Sequence, residues 1–166
     1  MKKLFSIIAV ALVALAASVE ANAIEDPDQP GTIKGGAYLG VAHRSVGTVV
    51  TADYVITDIW KGHLSGGVFL GFNDVIYGLD WRDYRIGLLP KVTYGLNITD
   101  KTEVHLSEMI GLVLAEDEWK GIVERQFTTF PSIGGSYKIS DNMAVAVELC
   151  TSVYMPVINV GIVMHF

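Results

Sequence analysis

Between turn-like sequences, this chain alternates bulky apolar residues with small or polar ones, in segments of about ten residues. In 84–98 one parity carries Ile86, Leu88, Val92, Tyr94, Leu96 and Ile98, and the other carries Arg85, Gly87, Lys91, Thr93, Gly95 and Asn97. The same split recurs in 61–72, with Leu64, Val68, Leu70 and Phe72 against His63, Ser65, Gly67 and Gly71, and in 156–166. A strand puts successive side chains on opposite faces, so a period of two over such lengths demands a sheet with one greasy face. Eight such segments are read: 33–43, 47–56, 61–72, 84–98, 102–114, 128–139, 142–153 and 156–166. Strands in soluble proteins average about 5–6 residues, whereas a tilted membrane-crossing strand needs about 9–11.

An internal repeat orders these strands. Ile56-Thr57-Asp58 returns as Ile98-Thr99-Asp100 and again as Ile139-Ser140-Asp141, and the first two copies lead into His63-Leu64-Ser65 and His105-Leu106-Ser107. Ser, Thr and Asp side chains can bond nearby backbone, which is turn chemistry. A period of about 40 residues signals a repeated supersecondary unit, here a pair of strands. The connections at Thr57–Trp60, Thr99–Lys101 and Ser140–Asp141 read as short. Those at 73–83 and 115–127 read as long, polar and aromatic. Alternating short and long ends predicts an all-β, eight-stranded antiparallel up-and-down barrel with one plain rim and one decorated rim.

Composition decides which face is outside. The chain has 166 residues, 51% of them apolar and only 18% charged, with 17 glycines. A soluble barrel of the lipocalin type would face water with many more charges. A membrane barrel puts the bulky apolar face in lipid and a small or polar face inside. The net charge of −6 argues against nucleic acid as a partner. A single cysteine excludes an intramolecular disulfide framework. At the N-terminus, residues 1–23 combine Lys2 and Lys3, an apolar run and Ala21-Asn22-Ala23, the pattern of a cleaved secretory signal peptide. Residues 24–32 read as an extended periplasmic tail and 33–166 as the barrel.

The last residues carry a resemblance. Asn159, Gly161, Met164 and the terminal Phe166 resemble the C-terminal signal of bacterial outer-membrane barrels, and the whole mature pattern resembles the small eight-stranded porin-family proteins, OmpX- or OmpW-like and of Bacteroidota type. The resemblance implies recognition of the last strand by the barrel-assembly machinery, its closure against the first strand, and a place in the bacterial outer membrane with lipid as the surrounding partner. A monomer is expected, with no cofactor, metal or enzymatic activity. The function expected is a structural, surface-interaction or minor permeability role, with an unknown extracellular partner at the 73–83 and 115–127 loops. A small passive pore and a lipid-modifying hydrolase are the alternatives.

The chemistry-bearing residues fall mostly on the interior parity. Lys34, Asp53, His63, Arg85, Lys91, Glu103, His105 and Glu148 are expected to form an interior polar network of both signs, as buried charge requires. A three-residue turn at Thr57–Ile59 would set Asp53 opposite His63, and the equivalent register would set Asn97 opposite Glu103. The hydrolase reading rests on His105 and Ser107 with Glu103 or Glu108, because a serine needs an adjacent base to act as a nucleophile. Against it, both residues share the interior parity and lie near a short turn. A metal between His63 and His105 is disfavoured because no carboxylate is fixed between them by the pattern. Glu108 falls on the lipid-facing parity, unless a bulge at Ser107 turns it inward or it lies at an interface. Trp60, Trp81, Trp119, Tyr54, Tyr84, Tyr94 and Tyr137 suit an aromatic girdle.

Overall fold

The computed structural model describes residues 28–42, 45–76, 82–117, 122–152 and 154–166. The signal-peptide segment and residues 24–27 of the tail lie outside them, as do His43, Arg44, Trp81, Trp119 and Val153. Eight strands follow one another: β1 (Ile33–Ala42), β2 (Ser45–Ile59), β3 (Gly62–Ile76), β4 (Arg82–Thr99), β5 (Thr102–Asp117), β6 (Ile122–Ser140), β7 (Met143–Cys150) and β8 (Ile158–His165). Each pairs antiparallel with its neighbour, and β8 returns to β1, closing the barrel.

Faces separate as the alternation requires. Leu39, Val50, Leu70, Leu88, Leu112, Val147 and Val160 are exposed on the outside, while Val49, Phe69, Leu89, Met109, Val113 and Phe130 are buried within. No helix among the described residues is long and apolar enough to cross a membrane.

The repeated isoleucines have a structural role that the sequence did not reveal. Register shifts fall between Val55 and Thr57, between Asn97 and Thr99, and between Lys138 and Ser140. Each shift steps over the isoleucine of one repeat copy, at Ile56, Ile98 and Ile139. The repeat is therefore a β-bulge just before a short hairpin, and a bulge adds local twist at a barrel rim. In the first copy the strand continues beyond the bulge to a turn at Trp60–Lys61, where Trp60 adopts φ 56°. The expected Thr57–Ile59 turn is thus strand, and Asp53 faces Gly67 while Asp58 faces His63. Asn97 does face Glu103.

The expected loops at 73–83 and 115–127 are largely strand. β3 runs to Ile76, β4 starts at Arg82, β5 reaches Asp117 and β6 begins at Ile122. Their polar residues do not end the pairing, because a hairpin can stay paired beyond an apolar band. β5 is also unbroken through Ser107, with Val92 facing Glu108 and Thr93 facing Ser107. Glu108 consequently stays on the outer face, exposed, and accepts a hydrogen bond from the Thr129 hydroxyl.

The barrel is slant-cut. Paired residues lead from Ile133 of β6 through Leu149, Ile158, Val41, Val46, Asp74, Tyr84 and Glu116 back to Val123 of β6, ten residues from the start (133 to 123). This stagger tilts the strands and raises each successive hairpin above the last. The short β7 and β8, of 8 residues each, form the low side, and the 18-residue β4 and 19-residue β6 form the high side.

Candidate functional site

The bore has three zones. At the short-turn end, Lys34 projects inward from β1 and its ammonium meets three groups. It lies 2.6 Å from Asp28 Oδ2, 2.8 Å from Glu103 Oε2 and 2.8 Å from His63 Nε2. An ammonium has three donors and no acceptor, so these contacts use all of them. Glu103 Oε1 lies 3.9 Å from His63 Nε2 and 3.6 Å from His105 Nδ1. A carboxylate is thus fixed between the two histidines, contrary to the sequence expectation. The reason is that β4 separates their strands with Gly95, which faces His63 on one side and His105 on the other. A Cβ on Gly95 would lie 2.5 Å from the His63 ring, and one on Gly134 would collide with the His105 ring. The glycines leave room for imidazoles to lie flat across the neighbouring strand.

Asp28 is a participant that sequence reading missed, because it lies in a segment read as a free tail. It is buried, accepts from His165 Nδ1 at 3.1 Å, and lies 3.5 Å from Lys138 Nζ. Its segment is tied down by the Gly31 amide, which donates to the Val55 carbonyl at 2.9 Å. Burial alone would push the Asp28 carboxyl up; the hydrogen bond to His165 and the Lys34 ammonium outweigh it and hold it well below the usual carboxylate range. The only available signal was an acidic residue a few positions before an inward lysine.

Asp28, His63 and Glu103 bring their ligand atoms within 4.8 Å of one another, a spacing a metal ion could bridge. The centre of that set is already held by the Lys34 ammonium, so the cation the donors serve is internal. A cavity of about 30 Å³ of water-accessible space remains beside the network, lined by Thr51, Asp53, Ser65, Thr93 and Ser136. That holds on the order of one or two waters.

Lys91 pairs with Asp53 Oδ2 at 3.2 Å. Glu148 is fully buried and accepts from the Ser132 hydroxyl at 2.5 Å. Lys91 and Glu148 are therefore not each other's counterions. Ser107 shares a hydrogen bond of 2.9 Å with Thr93, and His105 turns to Glu103, so the structure does not assemble a His-Ser pair.

Above this polar zone lies an apolar septum. Phe69, Leu89, Met109, Val113, Phe130 and Met155 are each at most 2% exposed, and Phe69 meets Phe130 edge-on at 6.0 Å. Arg85 lies beyond the septum, over the Tyr154 ring at 5.5 Å, in company with Asn73, which donates to the Tyr154 carbonyl. Arg85 thus belongs to the other end of the bore and not to the network around Lys34, since its place on β4 is two full side-chain layers past Leu89.

The C-terminal residues divide between the faces. Asn159 is buried and Met164 is outside. Gly161 lets the β1 backbone approach so closely that a Cβ would strike the Ala37 carbonyl. Phe166 exchanges backbone hydrogen bonds with Ile33, at 2.9 and 3.1 Å, and presents its ring on the surface. Tyr54 and Tyr137 are exposed shortly before the short turns, Tyr94 is half-buried nearby, and Tyr84 stacks on Phe72 at 6.0 Å.

No family model matches the sequence, and no curated protein matches it. The chain is similar to a solved structure described as a de novo design of transmembrane β-barrels, at 16% identity and a TM-score of 0.59, over 84% of this chain and 98% of that one. The likeness is one of fold: a closed eight-stranded antiparallel β-barrel.

Proposed function

We propose that the chain is an integral protein of the bacterial outer membrane, a small porin-family barrel of the OmpX- or OmpW-like kind, with a structural or surface-interaction role and a plugged bore. The observation that carries this reading is the inversion of faces. Large aliphatic side chains are exposed all round the barrel, while Lys34, Asp53, Lys91, Glu103 and Glu148 are buried inside it. Such a surface in water would be an apolar patch far beyond what soluble monomers expose. In lipid it is the expected band, with Tyr54, Tyr94 and Tyr137 suited to the headgroup level near one rim. In this reading the short turns face the periplasm and the raised hairpins face outward, where an extracellular partner would meet residues around the β3–β4 and β5–β6 connections. Asn159, Gly161, Met164 and Phe166 serve as the signal read by the assembly machinery.

The septum and the ionic network support a barrier in preference to a pore, and Ser107's bond to Thr93 offers no activated nucleophile. The test is reconstitution in planar bilayers, together with heat-modifiable gel migration to report the folded barrel. The wild type is expected to insert and conduct negligibly, and Phe69→Ala with Phe130→Ala to raise ion leakage. Large, stable single-channel steps from the wild type would replace this reading with the pore. Failure to insert at all would end the membrane assignment.

A further inference from the structure

One carboxylate faces outward from the middle of the apolar surface. β5 carries Glu108 on its outer face, exposed, with half-buried Leu106 on one side and exposed Ile110, Leu112 and Leu114 on the other. Val92 faces it from β4 and Pro131 from β6. Along β5, Val104 lies toward the short-turn end and Leu114 toward the raised end. At ~3.3 Å per residue and a strand tilt of about 40°, Glu108 is roughly 10 Å from Val104 and 15 Å from Leu114 along the barrel axis. The apolar band of a membrane barrel is about 25 Å tall, so Glu108 lies near its midplane. Ionisable groups at that depth ordinarily turn inward and pair. Glu108 has one partner, the Thr129 hydroxyl, which donates to Oε1. A carboxylate offers about four acceptor sites, and a hydroxyl fills one of them.

We propose that Glu108, with Thr129 beside it, is the docking point for another membrane-spanning protein that carries a cationic side chain, lysine or arginine, at the same depth. This rests on the membrane reading above and adds a partner inside the bilayer. Charge complementarity selects the occupant. Lipid headgroups lie beyond the apolar band, on the order of 10 Å away, so the counter-group must come from a segment within it. A second copy of the chain lacks the required donor. Its Thr129 hydroxyl is already given to Glu108 and its Thr151 hydroxyl to the Pro131 carbonyl. The exposed cations of the described residues, Lys61, Lys101 and Arg125, stand at the rims. A two-fold contact through this face would therefore bring two carboxylates together with nothing between them. A cationic side chain from a different protein completes the acceptor sites, and in lipid the pair is scarcely screened by solvent or salt. Thr129, Pro131 and Thr151 are small, so a neighbouring backbone can come close to the carboxylate.

The test folds the full-length chain into phosphatidylcholine vesicles with a membrane-spanning leucine–alanine peptide. The peptide bears one central lysine and an energy-transfer acceptor for the barrel's tryptophans. Transfer should exceed that seen with the same peptide carrying a central leucine. Glu108→Gln should weaken the association roughly 10- to 100-fold, as loss of a hydrogen bond to a charged group does. Glu108→Leu should reduce it to the level of the leucine peptide. Without any peptide, Glu108→Leu should raise the urea midpoint of the barrel in lipid, because the lone carboxylate is a cost there. Equal transfer from the lysine and leucine peptides overturns the proposal, as does association that survives Glu108→Leu. A lowered midpoint in Glu108→Leu also overturns it, since the carboxylate would then be a tie between β5 and β6. In each of these cases a wild type that inserts, as heat-modifiable migration reports, leaves the membrane reading standing; failure to insert ends both.

Discussion

The two ends of this barrel are built on opposite rules. At the short-turn end all eight strands are paired, three bulges tighten the rim, and the bore is closed by charges that satisfy one another around Lys34 and Glu103. At the other end β3–β6 rise beyond β7 and β8, one edge of β6 has no neighbour among the described residues, and Arg85 is stacked on Tyr154. Between them sits an aromatic and aliphatic layer. The difference teaches that closure and elaboration come from the same stagger: the tilt that lets eight strands close also carries β3–β6 beyond β7 and β8.

The largest effect is expected at the closed end. Glu103 pairs with the Lys34 ammonium and faces the His63 and His105 rings, and it is 6% exposed. Breaking a buried ionic cluster by removing one partner typically costs about 3–5 kcal/mol, because the remaining charge keeps its desolvation penalty. Glu103→Gln preserves the shape and removes the charge. Its urea midpoint in lipid should fall well below that of Glu124→Gln, an exposed carboxylate of the raised end. Equal midpoints would mean that the network adds nothing beyond packing.

How much of this was legible in the sequence depends on which interactions set each feature. Alternation in 84–98 and 61–72 is local, so strand identity, facing and order followed from it. The Ile56, Ile98 and Ile139 repeat was visible, but a bulge is a relation between two strands, and nothing local shows which partner is skipped. The inward parity of Lys34, Glu103 and His105 was readable, yet their pairing depends on the stagger, which emerges only when β8 meets β1. That is why Arg85 and Lys91, six residues apart on one strand and of one parity, ended in different zones. Asp28 was unreadable for the same reason: its partners Lys34, Lys138 and His165 come from three strands.

A second comparison probes the outer surface. Leu88 and Val123 are both outward apolar residues, but Leu88 lies within the fully closed part and Val123 on the raised β6. If lipid surrounds only the closed part, Leu88→Arg should cost about 2–4 kcal/mol and Val123→Arg about 0–1. Unfolding from lipid vesicles measures both. Similar losses at the two sites would place the raised hairpins in lipid as well, and similar indifference would remove the lipid band altogether.

The smallest effect is the docking of the N-terminal segment, and its pH dependence has a definite sign. Asp28→Asn keeps the shape but weakens the contacts to Lys34, Lys138 and His165. Hydrogen bonds to charged groups contribute about 1.5–3 kcal/mol, so the segment should open more readily by that order while the barrel stays closed. The Gly31 amide, held by the Val55 carbonyl, reports the opening. Its hydrogen-exchange protection should drop roughly 10- to 100-fold in the variant. The folded Asp28 carboxyl titrates below its unfolded value of about 3.9. A depressed carboxylate stabilises fully above the unfolded value and loses that contribution as pH falls through the folded one. The wild type and Asp28→Asn should therefore differ by a constant factor between about pH 7 and 5 and converge only below about pH 4. Convergence nearer neutrality would mean that a group other than the Asp28 carboxylate governs docking.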